Sequence, residues 1–545
     1  MSTEPLLVVR NLRVLARSGR GAIVKGIDFA LEEGECLALV GESGAGKSVA
    51  MKGVCGLLPP CLRAEGEVLI NGREVLHLGY RRPDRGSGIF YLSQHPLTAF
   101  HPHLTLGAEL RATLGRARRS IPRSEADARI KAELESLGIE DPAGFLRRHP
   151  NELSGGMLQR AMAAAALLLE PRLIVADEPT SALDAVSRRE MFERLSELRR
   201  RTRAALVVVT HDLDFAAAIA DRFIVMQAGE IVERGGNELL ARPRHPLTKE
   251  FVRMRRLMQD AFEAALEGRA PSSRPGAPLL EVRHVSKSYR SARHASFFGA
   301  NRQAVLQDVD FVIRAGETVG LVGASGAGKS TLARLLLGFE RPDSGEIRME
   351  GERLERWIAS HPGSVSFVAQ NCADALDPAW TIEQSLLEPV RLAIERAAPD
   401  RRPALLALLS RPALIEALER MRLPAEVLER RPHQLSGGEL QRAAILRAMM
   451  VPPKLLVFDE ALSSLDAHAQ GEVLEILRSI PKGNSAWLFI SHDLKAVTAI
   501  SSRVLFLEEG RVAESLETNR LCEARSAAAR RFMEAASGLR RSDNA

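Results

Sequence analysis

The chain spells one eight-residue motif twice, GESGAGKS at Gly41–Ser48 and GASGAGKS at Gly323–Ser330. Both fit G-x-x-x-x-G-K-[ST], and each follows an apolar run, ECLALV at Glu35–Val40 and ETVGLV at Glu317–Val322. An apolar-periodic stretch comes next in each case, from Lys47 to Leu58 and from Lys329 to Phe339. Strand, glycine loop and helix in that order make a phosphate loop. Glycines let the backbone curl so that successive N–H groups point inward at a polyphosphate, and the helix N-terminus adds its positive dipole. The expected cradles are Gly41, Ser43, Gly44 and Gly46 in the first copy, and Gly323, Ser325, Gly326 and Gly328 in the second. Lys47 and Lys329 are expected to neutralise the β- and γ-phosphates of ATP, and Ser48 and Ser330 to hold Mg²⁺, with Thr331 beside the latter.

The duplication runs well beyond this loop. Lys47 and Lys329, Ser154 and Ser436, and Asp177 and Asp459 each lie 282 positions apart, and His211 and His492 lie 281 apart. Gln94 and Gln370 are separated by 276, so the second copy is shorter before its glutamine and makes up the difference after it. Length alone suggests about three or four domains in 545 residues. The repeat argues instead for two copies of one domain of about 250 residues. The expected boundaries are a first domain over 1–258, a linker over 259–278, a second domain over 279–516 and a tail over 517–545. Residues Glu263–Pro278, EAALEGRAPSSRPGAP, have the composition of a flexible linker stiffened by proline. The segment Arg391–Arg422, with Pro399, Pro403 and Pro412, reads as extra helices within the second copy, and the tail after Leu516 as helix or frayed chain.

Composition places the chain among soluble globular proteins, with 26% charged and 45% apolar residues. Aromatics are only 4%, so the cores must rest on Leu, Val, Ala and Ile. A formal charge of +6 permits contact with anionic lipid or nucleic acid but indicates neither, because the Arg tracts are scattered. Cys36, Cys55, Cys61, Cys372 and Cys522 form no C-x-x-C pair and have no His at metal spacing, which predicts reduced, mostly buried thiols in a cytosolic protein. The opening run MSTEPLLVVRNLRV lacks a basic leader, and no apolar stretch approaches the ~20 residues that span a bilayer. A membrane task would need other chains to form the pore.

Four further elements recur behind each phosphate loop. IFYLSQ ends at Gln94 and VSFVAQ at Gln370; LSGGMLQR spans Leu153–Arg160 and LSGGELQR spans Leu435–Arg442. LIVADEPTSALD covers Leu173–Asp184 and LLVFDEALSSLD covers Leu455–Asp466, followed by LVVVTHD with His211 and WLFISHD with His492. A lone histidine after a strand is ordinarily a loop residue, but the same offset in both copies argues for a task.

This order of parts resembles the nucleotide-binding domain of ATP-binding-cassette (ABC) proteins, over nearly the whole chain and twice. LSGG is the diagnostic piece. The resemblance implies an α/β fold: two tandem phosphate-loop nucleotide-binding domains, each a Rossmann-like α/β core with an antiparallel β subdomain and a helical subdomain. It implies that Asp177 and Asp459, at the carboxyl ends of apolar strands, anchor Mg²⁺, and that Glu178 and Glu460 polarise the attacking water. His211 and His492 would contact the γ-phosphate. Gln94 and Gln370 would ligate Mg²⁺ or the water and sense a transport partner. Ser154, Gly155 and Gly156, like Ser436, Gly437 and Gly438, open helices and would complete the ATP pocket of the opposite domain. Tyr289 stands where the family stacks an aromatic on adenine, and Ala16 takes that place in the first copy. No catalytic residue is missing from either set, so both sites are expected to hydrolyse ATP.

QHPLTAFHP after Gln94, QNCADALDP after Gln370 and RPRHPLTKEFV at Arg242–Val252 resemble segments of the dipeptide, oligopeptide and nickel importers. That resemblance implies a peripheral ATPase on the cytoplasmic face of the inner membrane. Its partners would be two transmembrane permease subunits and an extracytoplasmic solute-binding protein, with no nucleic acid. The absent cysteine cluster and DEALSSLD lean slightly towards the nickel or metal-chelate branch. Twin-cassette F-type translation factors are the alternative class. Their long charged linker has no counterpart in the Pro/Ser/Gly joint here.

Overall fold

The computed structural model describes residues 5–17, 19, 21–76, 88–93, 99–117, 121–153, 155–180, 183–270, 276–290, 302–463 and 465–538. Apart from Ala182–Val186, which the second unit takes in, residues up to Val252 form one compact unit and those from Arg253 to Gly538 another.

In the first unit an antiparallel sheet has the order Ala22–Leu31, Leu7–Ala16, Leu62–Ile70, Arg73–Glu74. Leu7, Val9, Leu12 and Val14 alternate into the core on one face, as expected of a sheet solvated on the other. The phase slips at Asn11, where a bulge puts that residue at φ 46° and its N–H donates to Asp28 at 2.8 Å. The second unit repeats the sheet with Arg302–Arg314, Pro278–Arg290, Ser344–Met349 and Glu352–Arg353. Its bulge repeats too: His284 has φ 51° and its N–H donates to Asp310 at 2.9 Å.

A six-stranded sheet forms the centre of each unit. In the first the order is Glu230–Gly235, Arg222–Gln227, Cys36–Gly41, Ala205–Val209, Leu173–Asp177, Ile89–Leu92. In the second it is Arg511–Glu517, Arg503–Glu508, Thr318–Gly323, Ala486–Ser491, Leu455–Asp459, Val365–Val368. Only the Glu230–Gly235 and Arg511–Glu517 edges run antiparallel. Helices cover both faces of such a sheet, which is why CLALVG, ALVVV and AWLFIS are buried along their whole length.

Between the glutamine strand and the LSGG helix the first unit carries Leu106–Ala117, Arg123–Ser136 and Pro142–Arg147. The second carries Ile382–Arg396, Arg402–Ala407 and Arg411–Arg420. The 391–422 segment is therefore no addition to the second copy. Its proline-rich composition disguises a three-helix counterpart, with Pro403 and Pro412 at first-turn positions that need no N–H.

The joint also differs from its compositional reading. A helix runs over Pro246–Leu266, and the boundary between units falls within it. Phe262 and Ala265, inside the expected linker, are buried in the second unit's core. The apolar spacing of this helix outweighs the small residues that suggested flexibility. Residues 271–275 of the joint and 539–545 of the tail lie outside the described residues. The rest of the tail holds a 3₁₀ segment at Thr518–Glu523 and the helix Ala527–Ala536, capped by Ser526, which accepts the Ala529 N–H at 3.1 Å. Cys36, Cys55 and Cys372 are buried, whereas Cys61 and Cys522 are exposed. No helix among the described residues is long and apolar enough to cross a membrane.

Phe532 is the anchor of the final helix, with its ring centroid 6.4 Å from that of Phe506. Phe532→Ala is expected to cost about 3–5 kcal/mol, read as a lower denaturant midpoint; an unmoved midpoint would mean that the helix does not hold to the core in solution.

Candidate nucleotide sites

Each glycine loop leaves the end of a central parallel strand. Gly41 and Gly323 have no room for a side chain, because a Cβ would stand 2.3 Å from the Met226 carbonyl oxygen and 2.6 Å from that of Leu507. Ser43 and Gly44, like Ser325 and Gly326, form the turn of the loop. Gly46 and Gly328 then enter the helices with φ 92° and 102°. Both lysines are buried and held by their own loop. Lys47 Nζ donates to the Gly41 and Glu42 carbonyls at 2.8 Å, and Lys329 Nζ to those of Gly323 and Ala324 at 2.9 and 3.0 Å.

The serine after each lysine meets the strand-ending aspartate. Ser48 Oγ donates to Asp177 Oδ1 at 2.6 Å, and Ser330 Oγ to Asp459 Oδ1 at 3.3 Å. A hydroxyl beside a carboxylate is a hard-oxygen donor set, which fits Mg²⁺. Among the described residues the one cluster of three metal-ligating side chains, His284, Asp308 and Asp310, is exposed and belongs to the antiparallel sheet instead. Burial, with the charge of Glu460 adding to it, raises Asp459 above the ordinary aspartate range. In the first unit Asp177 has a second donor: Tyr91 Oη lies 2.5 Å from Oδ2. Burial, then the bond to Asp177, pushes this phenol far above its usual range, and burial pushes the neighbouring Cys55 thiol to about 12.

Glu178 and Glu460 both sit in the left-handed region, at φ 50° and 48°. Each N–H still bonds to the adjacent strand, Glu178 to Val209 at 2.8 Å and Glu460 to Ile490 at 2.9 Å. The chain thus reverses directly after its last ladder bond and turns the carboxylate over the loop. His211 Nδ1 lies 2.8 Å from Glu178 Oε2. Burial disfavours a charged His211, yet Glu178 and then Asp212 outweigh it and raise its pKa. In the second unit Glu460 is shared: Lys329 Nζ lies 3.3 Å away, Gln370 Nε2 donates at 3.3 Å, and His492 Nδ1 is at 3.8 Å. His492 chiefly, and Lys329 after it, outweigh burial and bring Glu460 down to about 2.

Ser436 caps the helix Gly437–Met449, accepting the Glu439 N–H at 3.3 Å while Glu439 accepts the Ser436 N–H at 2.8 Å. Gly437 and Gly438 form its first turn. Gly155 and Gly156 likewise begin Gly155–Leu169, but Met157 replaces the reciprocal glutamate. That difference was legible in LSGGMLQR against LSGGELQR. Gln94 and Ser154 lie outside the described residues. Tyr289 donates its hydroxyl to Glu340 at 2.6 Å, interacts with Thr331, and has the Lys287 ammonium 5.6 Å from its ring centroid. Sequence reasoning missed Glu340 and Tyr91, since each acts through a partner distant in the chain.

The family model described as ABC transporter matches residues 24–181 and 306–463. A relative from Escherichia coli K12, called uncharacterized ABC transporter ATP-binding protein YejF, is 33% identical over 524 residues, covering 94% of this chain and 96% of its own. The peptidoglycan transport ATP-binding protein YejF of Agrobacterium fabrum is 33% identical, with 94% and 93% covered. The glutathione import ATP-binding protein GsiA of E. coli K12 is 33% identical, with 93% and 86% covered. Among solved structures, one titled RNase-L Inhibitor aligns with a TM-score of 0.57 at 21% identity over 94% of this chain and 91% of its own, a likeness of fold.

A methyl group on Gly323 would displace the loop from the Leu507 carbonyl. Gly323→Ala is therefore expected to weaken nucleotide binding at the second site by about tenfold or more, consistent with the cost of overpacking. Binding of a fluorescent ATP analogue to a chain carrying Lys47→Ala measures it, and an unchanged affinity would remove the close approach as a reason for glycine here.

Proposed function

Since the chain belongs to the ABC transporter family and carries that family's ATPase domain twice, we propose that it is the ATP-hydrolysing subunit of an importer for peptides or small peptide-containing solutes. The observation that carries this is the presence, in each unit, of a lysine, serine, aspartate, glutamate and histidine at the same edge of the central sheet. The names of the YejF and GsiA relatives support peptide-containing cargo, and nickel or metal chelates are the second reading. The ribosome-factor alternative has a likeness of fold alone behind it, to a solved archaeal ribosome recycling factor aABCE1 that aligns with a TM-score of 0.55 at 20% identity over 89% of this chain and 86% of its own. Two membrane permeases and an extracytoplasmic binding protein are the proposed partners, with this subunit peripheral on the cytoplasmic face of the inner membrane.

ATP binding asks each loop lysine to exchange its carbonyl partners for phosphate oxygens. Ser48 and Ser330, which now donate to Asp177 and Asp459, would with those two carboxylates supply the hard oxygens that hold Mg²⁺. Mg²⁺, when bound, supplies charge neutralisation across the β- and γ-phosphates. In the second unit the Lys329–Glu460 pair opens as Lys329 moves to phosphate, which frees Glu460 to orient water. Glu460, whose charged form His492 favours most, accepts a hydrogen bond from that water. In the first unit His211 holds Glu178 in place for the same step. Each pocket is proposed to be closed by the LSGG segment of the opposite domain. Ser436, Gly437 and Gly438 would serve Lys47, and Ser154, Gly155 and Gly156 would serve Lys329. Binding would then close the domains and hydrolysis release them.

The double variant Glu178→Gln, Glu460→Gln is expected to lose about 10²–10⁴-fold in turnover, the usual contribution of such a group, while retaining ATP. Undiminished phosphate release would refute the assigned bases. Ser436→Ala should damage hydrolysis in a chain with Lys329→Ala more than in one with Lys47→Ala; equal losses would count against the crossed pairing. Affinity capture of the full chain from membranes should bring permeases with it, and recovery with ribosomes instead would favour the alternative.

A further inference from the structure

Asp177 is buried, and a buried carboxylate calls for a donor on each oxygen. Ser48 takes Oδ1 at 2.6 Å and Tyr91 takes Oδ2 at 2.5 Å. The two donors are not alike in duty. Ser48 is the side chain that must turn to the cation, whereas Tyr91 has no other task at the site. Tyr91 is the register partner of Val175, and Asp177 lies two residues further along the same strand face. The length of the phenol spans that step and brings its hydroxyl to the carboxylate.

The second unit has the same register and different chemistry. Phe367 is the partner of Val457, two residues before Asp459, and its ring meets that of Phe339 edge-on at 6.4 Å. It has no hydroxyl to offer. Asp459 accepts from Ser330 at the longer distance of 3.3 Å. Cys55, beside Asp177, is matched in the second copy by Leu337, so the surroundings of the two aspartates also differ in polarity.

We propose that Tyr91 is a positioning residue for Asp177, and that its replacement by Phe367 makes the two nucleotide sites unequal in how strongly the metal assists ATP binding. With Tyr91 holding Oδ2, Asp177 keeps its orientation when Ser48 releases Oδ1, and Oδ1 remains aimed at the cation and its water. Asp459 must be oriented at the moment the cation arrives. The first site is thus pre-organised and the second is not. The inference rests on the reading that both sites take ATP with Mg²⁺.

The test measures affinity for a fluorescent ATP analogue in EDTA and in excess Mg²⁺, and takes the ratio as the metal-dependent gain. The first site is isolated in the full chain by Lys329→Ala with Glu178→Gln, the second by Lys47→Ala with Glu460→Gln. Tyr91→Phe is expected to lower the gain at the first site by about three- to tenfold, the size of one typical net hydrogen bond, with the affinity in EDTA unmoved. Phe367→Tyr is expected to raise the gain at the second site. A folded Tyr91→Phe chain whose gain is unchanged or larger overturns the assignment. If that variant does not fold, an unmoved gain in Phe367→Tyr overturns it instead. Absence of any metal-dependent gain in the parent chains would strike the ATPase reading itself, which keeps the two failures apart.

Discussion

Side chains alternate along a strand, so a slip of one residue would exchange its two faces, and register is held wherever those faces pack against different neighbours. In the first unit Leu39 and Asp177 both pair with Val209, so the aspartate ends its strand two residues short of the Gly41 that begins the loop. Leu321 and Asp459, both paired with Ile490, repeat the alignment in the second. The phosphate loop is thereby brought to one sheet edge with the aspartate and the histidine, although more than a hundred residues separate it from either.

The glutamates show what the alignment must hold. A glutamate at positive φ costs on the order of 1–3 kcal/mol and persists only where its surroundings enforce it. Here the enforcement is the last ladder bond on one side and the charged partners on the other. The same outlier at Glu178 and Glu460 is hard to explain as local accident, since the residues after them differ, Pro179-Thr180 against Ala461-Leu462. The turn carries the carboxylate over the loop lysine, which an extended residue would not do.

Within this shared frame the two copies have diverged in their supporting residues. Tyr91 faces Phe367 across the repeat, Met157 faces Glu439, and Ala16 faces Tyr289. The first two differences alter what holds a site residue while leaving that residue itself unchanged, and the third changes the residue expected at the adenine. A chain that keeps both sets of reacting groups and varies their supports can keep two working sites of unequal character.

Much of this was legible before any coordinates. The glycine loops, the aspartate–glutamate pairs and LSGG are local, contiguous and spelled twice, so the residues alone determined the fold class, the duplication and the chemical inventory. Composition misled where it stood in for packing. Small residues and prolines suggested a flexible joint at 263–278 and extra helices at 391–422, but apolar spacing carries a helix as far as Leu266, and proline at first turns lets 391–422 form the counterpart of the first unit's helices. The sharing of Glu460 among Lys329, Gln370 and His492, the phenol on Asp177 and the carboxylate on Tyr289 were decided by tertiary structure alone. Those bonds join residues from about 30 to 130 positions apart, at distances set by register and burial, and no spacing along the chain encodes a distance of that kind.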